Sequence, residues 1–345
     1  MLYYCQESFS NVPLDARGCF YARVFPCLPL LNAFYSDHFV LPLPEGHRFP
    51  MQKYRMLRDL VEKIPGLVLH EAPSTTDGVL ALAHDPRYVA QITRGELSPA
   101  SEKEIGFPWS KLMVERSRRA TGATIAACRA ALKAGVAINL AGGTHHAHAD
   151  RGEGFCVFND GAVAARLMQA ERRVQKVAII DLDVHQGNGT ASILANDESI
   201  FTFSMHGENN YPFVKAYSDL DIGLPDGAGD EVYLPALDGA LQMIISQFAP
   251  QLIIYLSGAD SHENDRLGRL KLTMKGLAER DALVFGTASR HGLPVAVTMG
   301  GGYGKNIEET VAIHAQTIRI AAQHAHGLQV NLREPAANSC NRDFA

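Results

Sequence analysis

Residues 177–183, running into His185 and two glycines, read V-A-I-I-D-L-D-V-H-Q-G-N-G. A short apolar run ends abruptly in Asp181, Asp183 and His185. Aliphatic runs of this kind suit strands buried on both faces. Open α/β sheets take ligands outside the carboxyl ends of such strands. Alternate residues of an extended chain share one face, so Asp183 and His185 point the same way if the extension continues past Asp183. A carboxylate and an imidazole converging there suit a divalent ion of borderline hardness, such as zinc. One aspartate after a strand is commonly a turn former. Three titratable groups between 181 and 185, behind an apolar run, ask for more than a turn.

Three further groups follow apolar runs: Gly142-Gly143-Thr144-His145-His146, Ser257-Gly258-Ala259-Asp260 and Gly300-Gly301-Gly302-Tyr303. Adjacent histidines reach one cavity only if the backbone turns sharply, which the glycines permit. Alone, a histidine pair is usually structural and a glycine run only a tight turn. Together the groups make a coherent site. Asp183, His185 and Asp260 supply three ligands and leave the open position that a catalytic zinc needs. Two carboxylates formally cancel the charge of Zn²⁺, so water there is acidified less than in an all-histidine site. A separate base is then required, and the histidine pair can supply it. The Tyr303 hydroxyl can donate to a developing oxyanion. No serine or cysteine nucleophile is needed, and Cys156 reads as packing.

The elements that must position these groups alternate. Strands are expected at 31–40, 136–140, 177–183, 200–204, 252–257 and 295–298. Helices are expected at 50–63, 115–133, 159–172 with Asn159 or Asp160 at its cap, 238–248, 273–290 and 306–325. Residues 84–89 read as a turn into a short helix and 95–110 as a surface loop. Residues 207–235 read as a long irregular stretch. The alternation predicts an α/β fold, a mostly parallel central sheet with helices on both faces. One catalytic domain is expected over 31–330, with an N-terminal extension or arm at 1–30 and a polar tail at 331–345.

The chain has 345 residues, 46% of them hydrophobic, enough for a large core in one domain. Lys+Arg number 32 against Asp+Glu 37, a formal net charge of −5, and no long basic run disposes it to nucleic acid. The six cysteines, at 5, 19, 27, 128, 156 and 340, show no C-x-x-C spacing and read as reduced thiols of a cytoplasmic protein. No apolar run reaches membrane-spanning length, and the first residues do not read as a signal peptide.

G-G-T-H-H-A at 142–147, G-F-C at 154–156, D-L-D-V-H-Q-G-N-G at 181–189, G-A-D at 258–260 and G-G-Y at 301–303 resemble, in order, the motifs of the zinc-dependent histone deacetylases of the arginase–deacetylase superfamily. The resemblance spans roughly 31–325. H-Q-G-N-G, Tyr211-Pro212 and D-R-L-G at 265–268 look most like class IV deacetylases and their bacterial relatives. The resemblance implies an arginase–deacetylase fold and hydrolysis of acyl-lysine amides in proteins or peptides. An acetylpolyamine or other small acylated amine is the alternative substrate, and a non-catalytic acyl-lysine binder the remote one. It implies that Asp183, His185 and Asp260 hold zinc. His146 would be the general base and acid, His145 its charge-stabilising companion, and Tyr303 the carbonyl-polarising group. Asp181 matches the carboxylate that orients His145. Asn188 stands where some classes carry an aspartate behind the second histidine, and an amide there raises imidazole basicity less. Gly154, Phe155, Tyr211 and Leu267 resemble the walls of an acyl-lysine tunnel. Potassium is implied near Asp181, Asp183, His185, Ser204 and Met205. The chain departs at the rim: Gly106 falls near the place of a substrate-gripping aspartate, with Glu102 and Glu104 the nearby acids.

Overall fold

A computed structural model describes residues 30–333, apart from the side chains of 326–333. The expected arm falls outside these residues except for Leu30, and most of the expected tail also lies outside them. The strands are β1 (Leu31–Tyr35), β2 (Leu67–Glu71), β3 (Val136–Asn139), β4 (Val177–Asp181), β5 (Ile200–Gly207), β6 (Leu220–Leu224), β7 (Leu252–Gly258) and β8 (Val295–Gly300). The helices are α1 (Gln52–Val61), α2 (Asp77–Leu80), α3 (Pro86–Arg94), α4 (Pro99–Ile105), α5 (Lys111–Ala134), α6 (Asp160–Ala170), α7 (Asn188–Leu194), α8 (Asp230–Met243), α9 (Met274–Arg290) and α10 (Ile307–Arg333).

The strands form one sheet in the order β2-β1-β3-β8-β7-β4-β5-β6. Every neighbouring pair is parallel. After β3 the chain crosses to β4, runs outward through β5 and β6, then returns to insert β7 and β8 between β3 and β4. That return sets the carboxyl ends of β3, β8, β7 and β4 side by side at the centre of the sheet. All residues of β3, β4, β7 and β8 are buried, as layers on both faces require. One core cluster holds Leu57, Leu237, Val284 and Ile318 from α1, α8, α9 and α10. The other holds Val89, Ile125, Val163 and Leu194 from α3, α5, α6 and α7.

Some expectations are corrected. Residues 95–110 contain a helix, α4, with Ser98 as its side-chain cap, Pro99 in its first turn and Gly106 closing it in the left-handed region. Residues 207–235 are not irregular throughout, because they contain β6 and the start of α8. Strand β1 stops at Tyr35 rather than 40, and β2 was not expected at all.

Candidate active site

The extended chain does not continue past Asp181, so a shared strand face does not align Asp183 with His185 as expected. Residues 183–185 are bends instead, held by the carboxylates themselves. Asp181 Oδ1 accepts from Asp183 N at 3.1 Å, and Asp183 Oδ1 from His185 N at 2.9 Å. Asp260, beyond β7, accepts from Val184 N at 3.0 Å through Oδ1. The ligand-capable atoms of Asp183, His185 and Asp260 all lie within 4.8 Å of one another.

The histidine pair is set by α6. Asp160, at its first position, accepts from Gly143 N at 3.1 Å and Thr144 N at 2.7 Å, fixing the turn after β3. His145 Nδ1 donates to Asp181 Oδ2 at 2.6 Å. His146 Nδ1 lies 2.7 Å from Asn188 Oδ1, and the two rings are 4.1 Å apart between centroids. Opposite them, Tyr303 follows Gly301 and Gly302. At Gly301, φ is +51° and a Cβ would stand 2.1 Å from Asp260 Oδ2, so only glycine lets this turn approach the acids. Asp265 accepts from Tyr303 N at 2.7 Å and from Leu267 N at 2.7 Å, tying the tyrosine to the D-R-L-G loop.

His145, His146, Asp183, His185, Asp260 and Tyr303 line one cavity of about 510 Å³, with Gly154, Phe155, Tyr211 and Leu267 in its walls. Phe155 has φ +66°, costly for a bulky side chain. Hydrogen bonds from Phe155 N to Ile105 O (2.7 Å) and Gly154 N to Glu104 O (3.1 Å) hold it against the end of α4. The helix that sequence reading missed therefore carries the wall. Glu104 lines the cavity, whereas Glu102 does not. Ser204 lies in register with Asp181 on neighbouring strands, with Met205 next along β5. Apart from Glu102, the sequence-chosen residues thus gather at one end of the sheet.

The fields are unequal. Burial alone would lower His145, but Asp181 and Asp183 outweigh it and hold it up at about 9. Burial, with His145 and His185 beside it, pushes His146 well below the ordinary imidazole value. Burial, then Asp260, raises Asp183 to about 6. Burial also raises the Tyr303 phenol far above its usual range, leaving it a donor. Burial opposes charge on His185 too, yet its contacts with Asp183 and Asp260 hold it up at about 10. Two buried carboxylates therefore stabilise positive charge at this spot. Asp260 Oδ2 is buried without a hydrogen-bond partner, 3.3 Å from His185 Nδ1. An unsatisfied buried oxygen and a converging Asp2His set fit a divalent cation.

Three residues escaped sequence reading. Glu153 accepts from Asn188 Nδ2 at 2.6 Å and from Tyr211 at 2.9 Å. Lys53, 4% exposed, donates to the Gly301 carbonyl and stands 5.6 Å from the Tyr303 ring centre. Arg280 is fully buried behind the Asp260 turn. The charged glutamate inside G-E-G-F-C was a signal for the first; the other two look like ordinary helix-face cations in the sequence.

Residues 47–318 match the family model of the histone deacetylase domain. A histone deacetylase-like amidohydrolase from Pseudomonas aeruginosa is 31% identical over 286 residues, 76% of this chain and 74% of that protein. An uncharacterized protein of Picosynechococcus sp. is 45% identical over 291 residues, 83% of this chain and 97% of its own length. Histone deacetylase 2 of Arabidopsis thaliana is 36% identical over 198 residues, 56% of this chain and about half (51%) of that relative. The crystal structure of an HDA15 HD domain shares the fold, with a TM-score of 0.71 at 21% identity over 88% of this chain and 96% of its own. The chain belongs to the histone deacetylase family.

Proposed function

We propose that this member of the histone deacetylase family is a zinc-dependent hydrolase of acyl-lysine amides, with residues 31–330 as its catalytic unit. Deacetylase or amidohydrolase activity comes with the family. The observation that supports the finer reading is the convergence of Asp183, His185 and Asp260 in one cavity with His146 and Tyr303. Asp183, His185 and Asp260 would hold the zinc, and potassium would sit near Asp181, Asp183, His185, Ser204 and Met205. When bound, zinc supplies Lewis-acid polarisation of the acyl carbonyl and of water.

The chain's own groups do the rest. His146, kept neutral, takes a proton from the attacking water and returns it to the departing lysine amine. His145, held charged by Asp181, steadies negative charge as it develops. Tyr303 donates to the oxyanion. Phe155, Tyr211 and Leu267, with Gly154 leaving room, wall the acyl-lysine stem and exclude water.

The charges around the cavity favour a peptide over a polyamine. Its exposed charged lining residues are Arg48, Lys103, Arg269 and Glu104, with Arg269 paired to Asp226 at 2.9 Å, and the positive charge left over is less favourable to a polycation than to a peptide. A panel of acyl-lysine peptides and acylated polyamines, varied in acyl length, tests the reading. Peptide turnover should exceed polyamine turnover, and the reverse order would overturn the substrate assignment. No helix of the described residues is long and apolar enough to cross a membrane. A cytoplasmic protein acting on soluble acylated substrates completes the proposal.

A further inference from the structure

We infer that Glu153 is a positioning residue for the proposed reaction: through Asn188 it fixes which nitrogen of His146 carries the proton. The inference rests on His146 acting as the base.

An asparagine beside a catalytic histidine is ambiguous. Its oxygen and nitrogen ends are nearly the same shape, and a rotation exchanges an acceptor for a donor. Facing His146 Nδ1 with oxygen, it keeps a proton on Nδ1 and leaves Nε2 as the unprotonated base. Facing it with nitrogen, it favours the opposite tautomer and disarms Nε2. Something must select the first orientation, and Asn188 itself cannot.

Glu153 can. A carboxylate is acceptor-only, and Glu153 Oε1 lies 2.6 Å from Asn188 Nδ2. Its contacts with Asn188, Tyr211 and His148 outweigh burial and keep it ionised far below neutral pH. The nitrogen end of Asn188 is thereby drawn to Glu153, and Oδ1 is left 2.7 Å from His146 Nδ1. His148 Nε2, 3.2 Å from the same Nδ2, also sits on that side. The carboxylate absent at position 188 is thus present one hydrogen bond further out.

The turn that carries Glu153 is built close to the histidine. At Gly154, φ is +57° and a Cβ would meet His146 Cδ2 at 2.8 Å. The same carboxylate oxygen accepts from the Tyr211 hydroxyl at 2.9 Å, so one group orders both the base and a cavity wall.

The test is Glu153→Gln in the zinc-loaded full chain, alone and combined with Asn188→Asp. A glutamine carries donors as well as an acceptor, so Asn188 is no longer forced one way. In the parent chain Glu153→Gln should lower kcat roughly tenfold, the scale of outer hydrogen-bond partners, with less effect on KM. In the Asn188→Asp chain it should be neutral or beneficial, because an aspartate needs no orienting and is relieved of a neighbouring charge. A tautomer readout by nitrogen-15 NMR of labelled histidine needs no turnover. It should show His146 protonated at Nδ1 in the parent and mixed in Glu153→Gln. An unchanged tautomer, an unchanged kcat in the parent chain, or an equal loss in both backgrounds would overturn the inference. Peptide turnover by the parent tests the reaction separately, so the two failures are distinguishable.

Discussion

Arg280 Nη1 donates to the carbonyl oxygen of Gly258 at 2.6 Å, gripping the end of β7 two residues before Asp260. Its Nη2 reaches Ser257 Oγ at 2.8 Å and Asp281 Oδ1 at 2.8 Å. Asp281 also accepts from Tyr255 and Thr317, each at 2.6 Å. A buried ion pair with its hydrogen bonds satisfied thus anchors the Asp260 turn to α9. Removing one partner of such a pair strands the other charge. Arg280→Met should therefore lower stability by about 3–5 kcal/mol and weaken metal retention. Urea unfolding and metal analysis check it; a loss under about 1 kcal/mol would show that the pair does not carry this load.

Tyr303 lines the same cavity as the Asp183, His185 and Asp260 cluster without belonging to it. Tyr303→Phe should lower kcat by about 10²–10³, the scale of losing one such donor, with zinc still bound. Steady-state kinetics beside metal analysis decide the point. Wild-type turnover in the zinc-loaded variant would remove Tyr303 from the mechanism.

His84 makes stability pH-dependent. Its Nδ1 lies 2.9 Å from His148 O, and its Nε2 accepts from Asn159 N at 2.8 Å, which only a neutral ring can do. Burial, the largest influence, lowers it from 6.5 to about 4. The unfolded chain binds this proton first, so His84 leaves stability untouched above pH about 6.5 and withdraws it as pH falls toward 4, roughly 3 kcal/mol in all. Unfolding midpoints from pH 8 to 4 should fall more steeply in the parent than in His84→Asn. Parallel curves would show that His84 does not titrate this way.

Most of the site was legible because each chemical group follows a buried aliphatic run, and such runs are read easily as central strands. Asp181, Asp183, Asp260, His145, His146 and Tyr303 all stand where those runs break. The edge strands were harder. β2 has no fully buried residue, and β6 buries only Leu224, so neither has a core signature. α4 is short, and its Pro99 and Gly106 read as loop punctuation although they are its start and stop. Glu153, marked only as a charge inside G-E-G-F-C, and Arg280 were missed for a different reason. Their partners, Asn188 and Gly258, are 35 and 22 residues away, and no local pattern says which distant group will satisfy such a charge.

On the proposed reading, one zinc, held by Asp183, His185 and Asp260, is required for amide hydrolysis at this cavity. Chelation followed by zinc titration, with acyl-lysine peptide turnover and bound metal measured together, tests it most directly. Turnover should vanish with the metal and return in proportion to zinc until one ion per chain is bound, with no return in Asp260→Ala. Full turnover after verified metal removal, or full recovery in Asp260→Ala, would contradict it.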